Sequence, residues 1–143
     1  MTVVGLGIDL AEIDRVRFLL GRYGERFRDR VFTDHEWEYA HRYADPSRRL
    51  AARFAGKEAV MKSLYTGWRG LRWRDIEITG GGAPRVVLSG SAAARARTLR
   101  VERVLVTITH TAHSAMVVAV SLGSGLPSEL VEGSGERRPR LDV

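Results

Sequence analysis

Asp9 is the first side chain whose type and position suggest chemistry. It follows a short apolar run, residues 3–8, that is typical of a buried strand. A carboxylate at the end of such a strand can hold a hard metal ion on a rigid support. An aspartate just before a helix is more often an N-cap, however. Asp9 by itself therefore leaves a metal site and a helix cap both open.

Glu58 and Lys62 lie four residues apart in a segment whose periodicity predicts a helix. A surface salt bridge between them, contributing about 0.3–0.5 kcal/mol, is the simplest explanation. Two observations favour a functional role instead. Glu58 falls at the edge of the apolar stripe that the helical spacing predicts for Leu50, Phe54, Met61 and Leu64. In addition, only two of the chain's 23 basic residues, Lys57 and Lys62, are lysines. Unlike arginine, lysine is a compact point charge that can lose its proton when buried.

His110 ends a predicted strand and opens a turn that also contains His113. A lone histidine at a strand end is usually structural, but two histidines with Thr109 and Thr111 could donate to an anion such as phosphate. Two glycine patterns carry no such chemistry. Residues 5–7 (Gly-x-Gly) lack the third glycine of a dinucleotide motif, and the triplet at 80–82 lacks the Gly-Lys-Ser/Thr ending of a P-loop.

The elements that must position these residues alternate between helices and strands. Apolar residues at helical spacing predict that Leu50, Phe54, Met61 and Leu64 form one stripe of the strongest helix, for which Ser47 is the expected cap. The predicted elements are a strand over 2–8, helices over 10–23, 27–31, 34–43 and 48–64, a hairpin over 75–79 and 85–88, a helix over 91–99, and strands over 103–109 and 115–120. The expected fold class is α+β, with helices packed on a small antiparallel sheet.

Length and composition indicate one soluble domain. The 143 residues include no cysteine, which excludes disulfides and thiolate metal sites. No apolar run approaches the roughly 18 residues that span a bilayer, and no basic-then-apolar leader is evident, so a cytoplasmic protein without membrane contact is expected. The domain is expected to cover residues 1–123. Residues 124–143 are polar and aromatic-free, and we expect them to form a disordered tail.

The net charge of +6 implies an acidic partner. A nucleic-acid-binding module is one class that fits such a charge. It would need exposed aromatic side chains on a sheet or a helix-turn-helix. The sequence predicts neither, and its arginines are spread along the chain, so no nucleic-acid partner is expected.

Three blocks together resemble the holo-(acyl carrier protein) synthase family, the small single-domain 4′-phosphopantetheinyl transferases. They are GLGIDLAEIDRV at residues 5–16, ARFAGKEAVMK at 52–62 and VTITHTAHSA at 106–115. Their order and spacing match the family, and the resemblance covers residues from about 3 to 122. One departure concerns the helix that carries Lys62, because a glycine usually follows it closely, whereas here Leu64, Tyr65 and Thr66 precede Gly67.

The resemblance implies a fold, a reaction and a magnesium site. The fold would be that of a 4′-phosphopantetheinyl transferase. The reaction would move 4′-phosphopantetheine from coenzyme A to a serine of an acyl carrier protein of fatty acid or polyketide synthesis, releasing 3′,5′-ADP. Asp9 and Glu58 would hold Mg²⁺, and Lys62 would be the catalytic lysine beside the phosphates. Either Glu58 or a metal-held water would take the serine proton.

The resemblance also implies a cofactor pocket and two protein partners. Arg53 and His110 match positions that contact coenzyme A phosphates, while Pro84 and Thr109 match positions lining the nucleotide pocket. Family members of this size are generally homotrimers with active sites between subunits. The region that receives the acidic carrier helix corresponds here to four arginines: Arg15, Arg17, Arg22 and Arg26. A solvated basic face is the alternative for these arginines, and a non-catalytic carrier-binding protein is the alternative for the chain.

Overall fold

The computed structural model describes residues 1–67 and 70–125. Its α+β architecture confirms the predicted fold class. The helices are α1 (Ile13–Tyr23), α2 (Glu25–Val31), α3 (Asp34–Ala40), α4 (Pro46–Ser63) and α5 (Gly90–Thr98). The strands are β1 (Thr2–Glu12), β2 (Ile76–Thr79), β3 (Arg85–Leu88), β4 (Val101–His110) and β5 (Ser114–Gly123), and a 3₁₀ turn (Trp73–Asp75) precedes β2.

The strands form two antiparallel sheets, one of three strands in the order β1-β5-β4 and one hairpin of β2 and β3. Val104, Val106 and Ile108 pack against the core from one face of β4, as their alternation predicts. Helix α4 lies across β1 and β5 and also contacts α1, α3 and β2. The predicted stripe on α4 was therefore too narrow, because small residues such as Ala51, Ala55 and Ala59 are buried on its other sides as well.

The predicted boundary between the first strand and the first helix was wrong. β1 continues to Glu12, and α1 begins only at Ile13. Leu10, Ala11 and Glu12 pair with β5 down to Ser114, so ladder hydrogen bonds prevail over the helical spacing of the sequence. Asp9 is consequently not a helix cap. It lies within the strand, opposite Val117.

The helix caps show one confirmed and one wrong prediction. The sequence offers Thr33 or Asp34 as the cap before Glu36, and Thr33 caps α3 in a reciprocal capping box with Glu36. Ser47 does not cap α4. The side chain of Asp45 accepts from the Ser47 amide instead, and Pro46 takes the first helical position, where its missing N–H is of no consequence.

Two further predictions concern the membrane and the tail. Among the described helices, none combines the length and the apolar character that crossing a bilayer requires. The predicted tail lies outside the described residues from position 126 onward.

Candidate active site

Gly5 and Gly7 let β1 lie directly against α4. A Cβ atom at Gly7 would stand 2.8 Å from the carbonyl carbon of Ala59 and 3.0 Å from Cβ of Lys62. A Cβ atom at Gly5 would stand 3.0 Å from the carbonyl carbon of Ser63. Such distances exclude any side chain unless one backbone moves. The Gly-x-Gly pattern thus serves close packing of a strand on a helix, and it brings Asp9 next to the face of α4 that carries Glu58 and Lys62.

Lys62 joins α4 to β1 at this point. Its Nζ donates to the Ile8 carbonyl at 2.9 Å and lies 3.2 Å from Asp9 Oδ1. The sequence suggests a salt bridge between Lys62 and Glu58 along the helix. Among the described residues, Lys62 forms its salt bridge with Asp9 instead. The Lys62 side chain remains about half exposed, at a place where an anion could bind.

Glu58 and Asp9 interact directly. Burial, the hydrogen bond to Asp9 and the negative charge of Asp9 together raise the pKa of Glu58 to about 7, against the smaller opposing effects of Lys62 and Arg15. Two carboxyl groups in hydrogen-bonding contact can share one proton, since both cannot be ionised there without cost. A divalent cation in place of that proton would relieve the repulsion.

The donor set fits Mg²⁺ better than a metal enclosed by protein ligands. Among the described residues, no group of three or more histidine, aspartate or glutamate side chains could hold a metal ion. Mg²⁺ typically takes one or two protein carboxylates and completes its octahedron with water and substrate phosphates. The pair of Asp9 and Glu58 meets that requirement.

A groove of about 660 Å³ opens beside Glu58. Aromatic side chains, including Phe27, Phe54 and Trp73, line it together with Arg15 and Arg26. Phe54, one helical turn before Glu58, stacks on Trp73 with ring centroids 5.1 Å apart. The groove lining thus brings together two of the four predicted docking arginines and Glu58.

The other two docking arginines are placed differently. Arg17 forms ion pairs with Asp14 and, at 3.0 Å, with Asp45. Arg22 is exposed in the last turn of α1 and is not part of the groove lining. The sequence prediction missed Arg30, which does line the groove. Its position one helical turn after Arg26 is the signal that could have identified it.

The predicted cofactor residues form a second group. Arg53 is buried, with 4% of its surface exposed, and donates to the Gly80 carbonyl at 3.0 Å. Its guanidinium carbon lies 4.6 Å from the centroid of the Tyr39 ring. Its Nε is buried and has no hydrogen-bond partner among the described residues. Pro84 lies half-buried in the same hairpin turn as Gly80.

Within one chain, the structure does not join this group to the carboxylates. Arg53 and Glu58 are five residues apart on α4, which turns their side chains about 140° away from each other. Thr109 and His110 are exposed at the end of β4, and His110 pairs with Ala115. Asp9, Glu58 and Lys62 therefore form one cluster, while Arg53 with Pro84 and Thr109 with His110 lie elsewhere.

Comparisons with known proteins show which family the chain belongs to. A family model described as the 4′-phosphopantetheinyl transferase superfamily matches residues 5–117. The chain belongs to this superfamily. A protein of Solibacter usitatus named holo-[acyl-carrier-protein] synthase is 46% identical over 117 residues, which cover 80% of this chain and 94% of that protein. A protein of Vibrio cholerae with the same name is 43% identical over 121 residues, covering 82% and 96%.

Solved structures show the same fold. The holo-[acyl-carrier-protein] synthase of Neisseria meningitidis superposes with a TM-score of 0.77 at 26% identity, covering 85% of this chain and 99% of that one. The synthase of Helicobacter pylori, solved in complex with coenzyme A, superposes with a TM-score of 0.72 at 28% identity, covering 82% and 99%. The resemblance that the three sequence blocks indicate is thereby confirmed.

A buried ion pair in this superfamily member escaped the sequence prediction. Lys57 is fully buried, and its Nζ lies 2.7 Å from Glu36 Oε1. It also donates to the carbonyls of Trp73 and Ile76. Burial lowers the pKa of Lys57, and Glu36 opposes that shift. The pair ties α3 and the start of β2 to the turn of α4 that carries Glu58.

Proposed function

We propose that this chain transfers 4′-phosphopantetheine from coenzyme A to a serine of an apo acyl carrier protein, with Mg²⁺ required and 3′,5′-ADP released. The observation that carries the proposal is the contact between the Asp9 and Glu58 carboxyl groups with Lys62 beside them. Superfamily membership and the shared name of the relatives support the same reaction. The coenzyme A complex of the Helicobacter pylori synthase supports the donor.

The chemistry follows from charge. Mg²⁺ held by Asp9 and Glu58 would neutralise the diphosphate of coenzyme A and stabilise the charge that develops on the transferring and leaving groups. Lys62 adds a positive charge at the same place, fixed by the Ile8 carbonyl. The serine oxygen of the carrier forms a bond to the phosphorus joined to pantetheine, and the bond from that phosphorus to the 3′,5′-ADP oxygen breaks. Either Glu58 or a water held by the metal would take the serine proton.

The arrangement supports a homotrimer whose copies share coenzyme A. In one chain, the carboxylate cluster lies apart both from Arg53 with Pro84 and from Thr109 with His110, so a ligand that uses all of them would lie between chains. The outer face of the β1-β5-β4 sheet is apolar and exposed, with Leu6 at 66%, Ile8 at 54% and Leu10 at 56% exposure. Contiguous apolar surface of this kind is typical of interfaces. Three copies, and not two, is what the family resemblance implies.

Mixing two inactive variants tests the shared site. Glu58→Gln removes a carboxylate, whereas His110→Ala removes a contact expected on the neighbouring copy. Co-expression would place one intact site between a copy of each variant, so partial activity should return. Light scattering gives the mass of the assembly independently. A monodisperse monomer that is active would contradict the shared site.

The groove beside Glu58 is the proposed place of carrier docking. Arg15 and Arg26 supply positive charge at the groove, and the aromatic lining supplies apolar surface close to the carboxylates. An acidic helix could thereby bring its serine to Glu58. Such a carrier and the reaction's substrates are cytoplasmic, which is where we place the protein.

Mass spectrometry of an apo carrier incubated with the protein, coenzyme A and Mg²⁺ tests the whole proposal. The carrier should gain the mass of phosphopantetheine, and 3′,5′-ADP should accumulate in equal amount. Glu58→Gln should abolish the gain, whereas Glu102→Gln, an exposed carboxylate on β4, should leave it unchanged. Tight carrier binding without a mass change would identify a non-catalytic binding protein. Binding to DNA or RNA in preference to the carrier would contradict the proposal altogether.

A further inference from the structure

The pattern of buried residues along β1 changes at Val4. Val3 pairs with Leu122 and Gly5 pairs with Ser121, so Val4 is one residue more than β5 can match. Val4 and Gly5 are both buried although they are consecutive. An extra residue with two successive side-chain positions on one face is a β-bulge.

The bulge decides which face of β1 meets α4. After Val4, the buried positions are Gly5, Gly7 and Ala11, and Asp9 lies on that face. Leu6, Ile8 and Leu10 point the other way and are exposed. Without the bulge, every later side chain would change face, because side chains alternate with a period of exactly two residues. Asp9 would then point away from Glu58 and Lys62.

The sequence by itself favours the arrangement without the bulge. Val4, Leu6, Ile8 and Leu10 form an uninterrupted apolar alternation, which would normally cover the core. Turning them outward exposes apolar surface, so some interaction must hold the extra residue in place. Close packing of Gly5 and Gly7 on α4 contributes, as described above.

Tyr65 makes a second, specific contact with the bulge. Its Oη donates to the Val4 carbonyl at 2.7 Å. Tyr65 has a φ of 56°, a left-handed conformation that side chains other than glycine adopt only at a cost. Arg95 supports this conformation by donating to the Leu64 carbonyl at 2.9 Å and to the Tyr65 carbonyl at 3.1 Å. The strained backbone directs the phenol at the bulge, at the point where the chain departs from the glycine usual in its family.

We propose that Tyr65 is a positioning residue that holds the Val4 bulge and thereby keeps Asp9 on the face of β1 that meets Glu58. This role rests on the proposed function only in so far as Asp9 is a metal ligand there. Among the described residues, the Tyr65 hydroxyl contacts the Val4 carbonyl and neither Asp9 nor Glu58. It acts through the backbone of β1.

Tyr65→Phe tests the role because it removes only the hydroxyl group. One lost hydrogen bond shifts an equilibrium by about 5–10-fold. We therefore expect the Mg²⁺ concentration for half-maximal transfer to rise about 5–10-fold, with the KM for the carrier unchanged. Calorimetric titration of Mn²⁺ into the protein with 3′,5′-ADP present should show the same loss of affinity. Thr98→Ala is the control, since it removes a hydroxyl-to-carbonyl hydrogen bond within α5, away from β1.

A merely structural role would lower the melting temperature and leave the Mg²⁺ midpoint and the Mn²⁺ affinity at wild-type values, and that result overturns the proposal. Amide hydrogen exchange tests the bulge without reference to any activity. In Tyr65→Phe, exchange of the amides of residues 3–7 should accelerate several-fold, while those of β4 stay unchanged. Unchanged exchange in residues 3–7 overturns the inference. If the wild-type protein transfers nothing but this acceleration is found, the proposed function fails and the role of Tyr65 in the bulge stands.

Discussion

Gly7→Ala offers a direct test of how the site is built. The added methyl group would lie 2.8 Å from the Ala59 carbonyl carbon, closer still to its oxygen, and 3.0 Å from Cβ of Lys62. Ordinary contacts begin at 3.4 Å, so α4 would have to retreat from β1 by more than half an ångström. The obstacle is backbone and not a flexible side-chain end, so no rotamer change can relieve it.

The expected losses of stability and of turnover follow from that displacement. Overpacking of this kind costs about 1–3 kcal/mol, which lowers the melting temperature of a domain this size by about 3–10 °C. The retreat also moves Glu58 and Lys62 away from Asp9, because both residues lie on the displaced helix. A misplacement of about 1 Å can reduce turnover about 100-fold, so activity should fall far more than stability.

Gly21→Ala is the matched control. It makes the same chemical change in α1, where, apart from the helix's own backbone, no atom of the described residues lies within 4 Å of the added methyl group. Alanine in a helix is more stable than glycine by about 1 kcal/mol, so the melting temperature should rise slightly. Differential scanning calorimetry measures the melting temperatures, and the mass-spectrometric transfer assay measures the turnover. If Gly7→Ala keeps wild-type turnover, the contact between β1 and α4 does not position the carboxylates, and the reasoning fails.

Three further outcomes are expected. The pKa of Glu58 is raised to about 7 from an ordinary 4.5, so the folded protein binds one more proton than the unfolded chain between these pH values. The stability that Glu58 contributes is therefore present below pH 4.5 and is lost as the pH rises through 7. Melting temperatures of the metal-free protein should therefore fall over that range, Mg²⁺ should stabilise it more at higher pH, and Glu58→Gln should abolish both trends. Arg15→Glu should raise the KM for the carrier and weaken its dependence on ionic strength, with the KM for coenzyme A unchanged, as steady-state kinetics at low and physiological salt would show. Lys57→Met leaves the Glu36 carboxylate buried without a counter-ion and should reduce the free energy of unfolding by about 3–5 kcal/mol, whereas adding Glu36→Gln should recover part of the loss in denaturant titrations.

The sequence predicts elements well where the local pattern and the tertiary partners agree. Helix α4 and the β2–β3 hairpin follow from periodicity and turn residues. The start of α1 does not, because residues 10–12 fit both a helix and a strand until β5 supplies hydrogen-bonding partners. The sequence does not predict the bulge at Val4 either, because the apolar alternation continues past it.

The sequence predicts the candidate site only in part as well. The blocks that contain Asp9, Glu58 and Lys62 identify the residues, but not how they contact each other. Spacing along the helix pairs Lys62 with Glu58, whereas the approach of β1, permitted by Gly7, pairs it with Asp9. Long-range contacts of this kind cannot be read from spacing within one element.

The two lysines of the chain show how position decides what the same side chain does. Lys57 and Lys62 lie on α4 five residues apart, about 140° around the helix. Lys57 faces α3 and β2, where burial and three hydrogen-bonding partners use all its donors in holding the helix in place. Lys62 faces β1 at the surface, where the Ile8 carbonyl and Asp9 orient an ammonium group that stays half exposed. A planar guanidinium group with five donors would not match the three partners that surround the compact ammonium group of Lys57. In a chain whose other basic residues are all arginine, the two exceptions thus mark the helix that both supports and carries the carboxylate site.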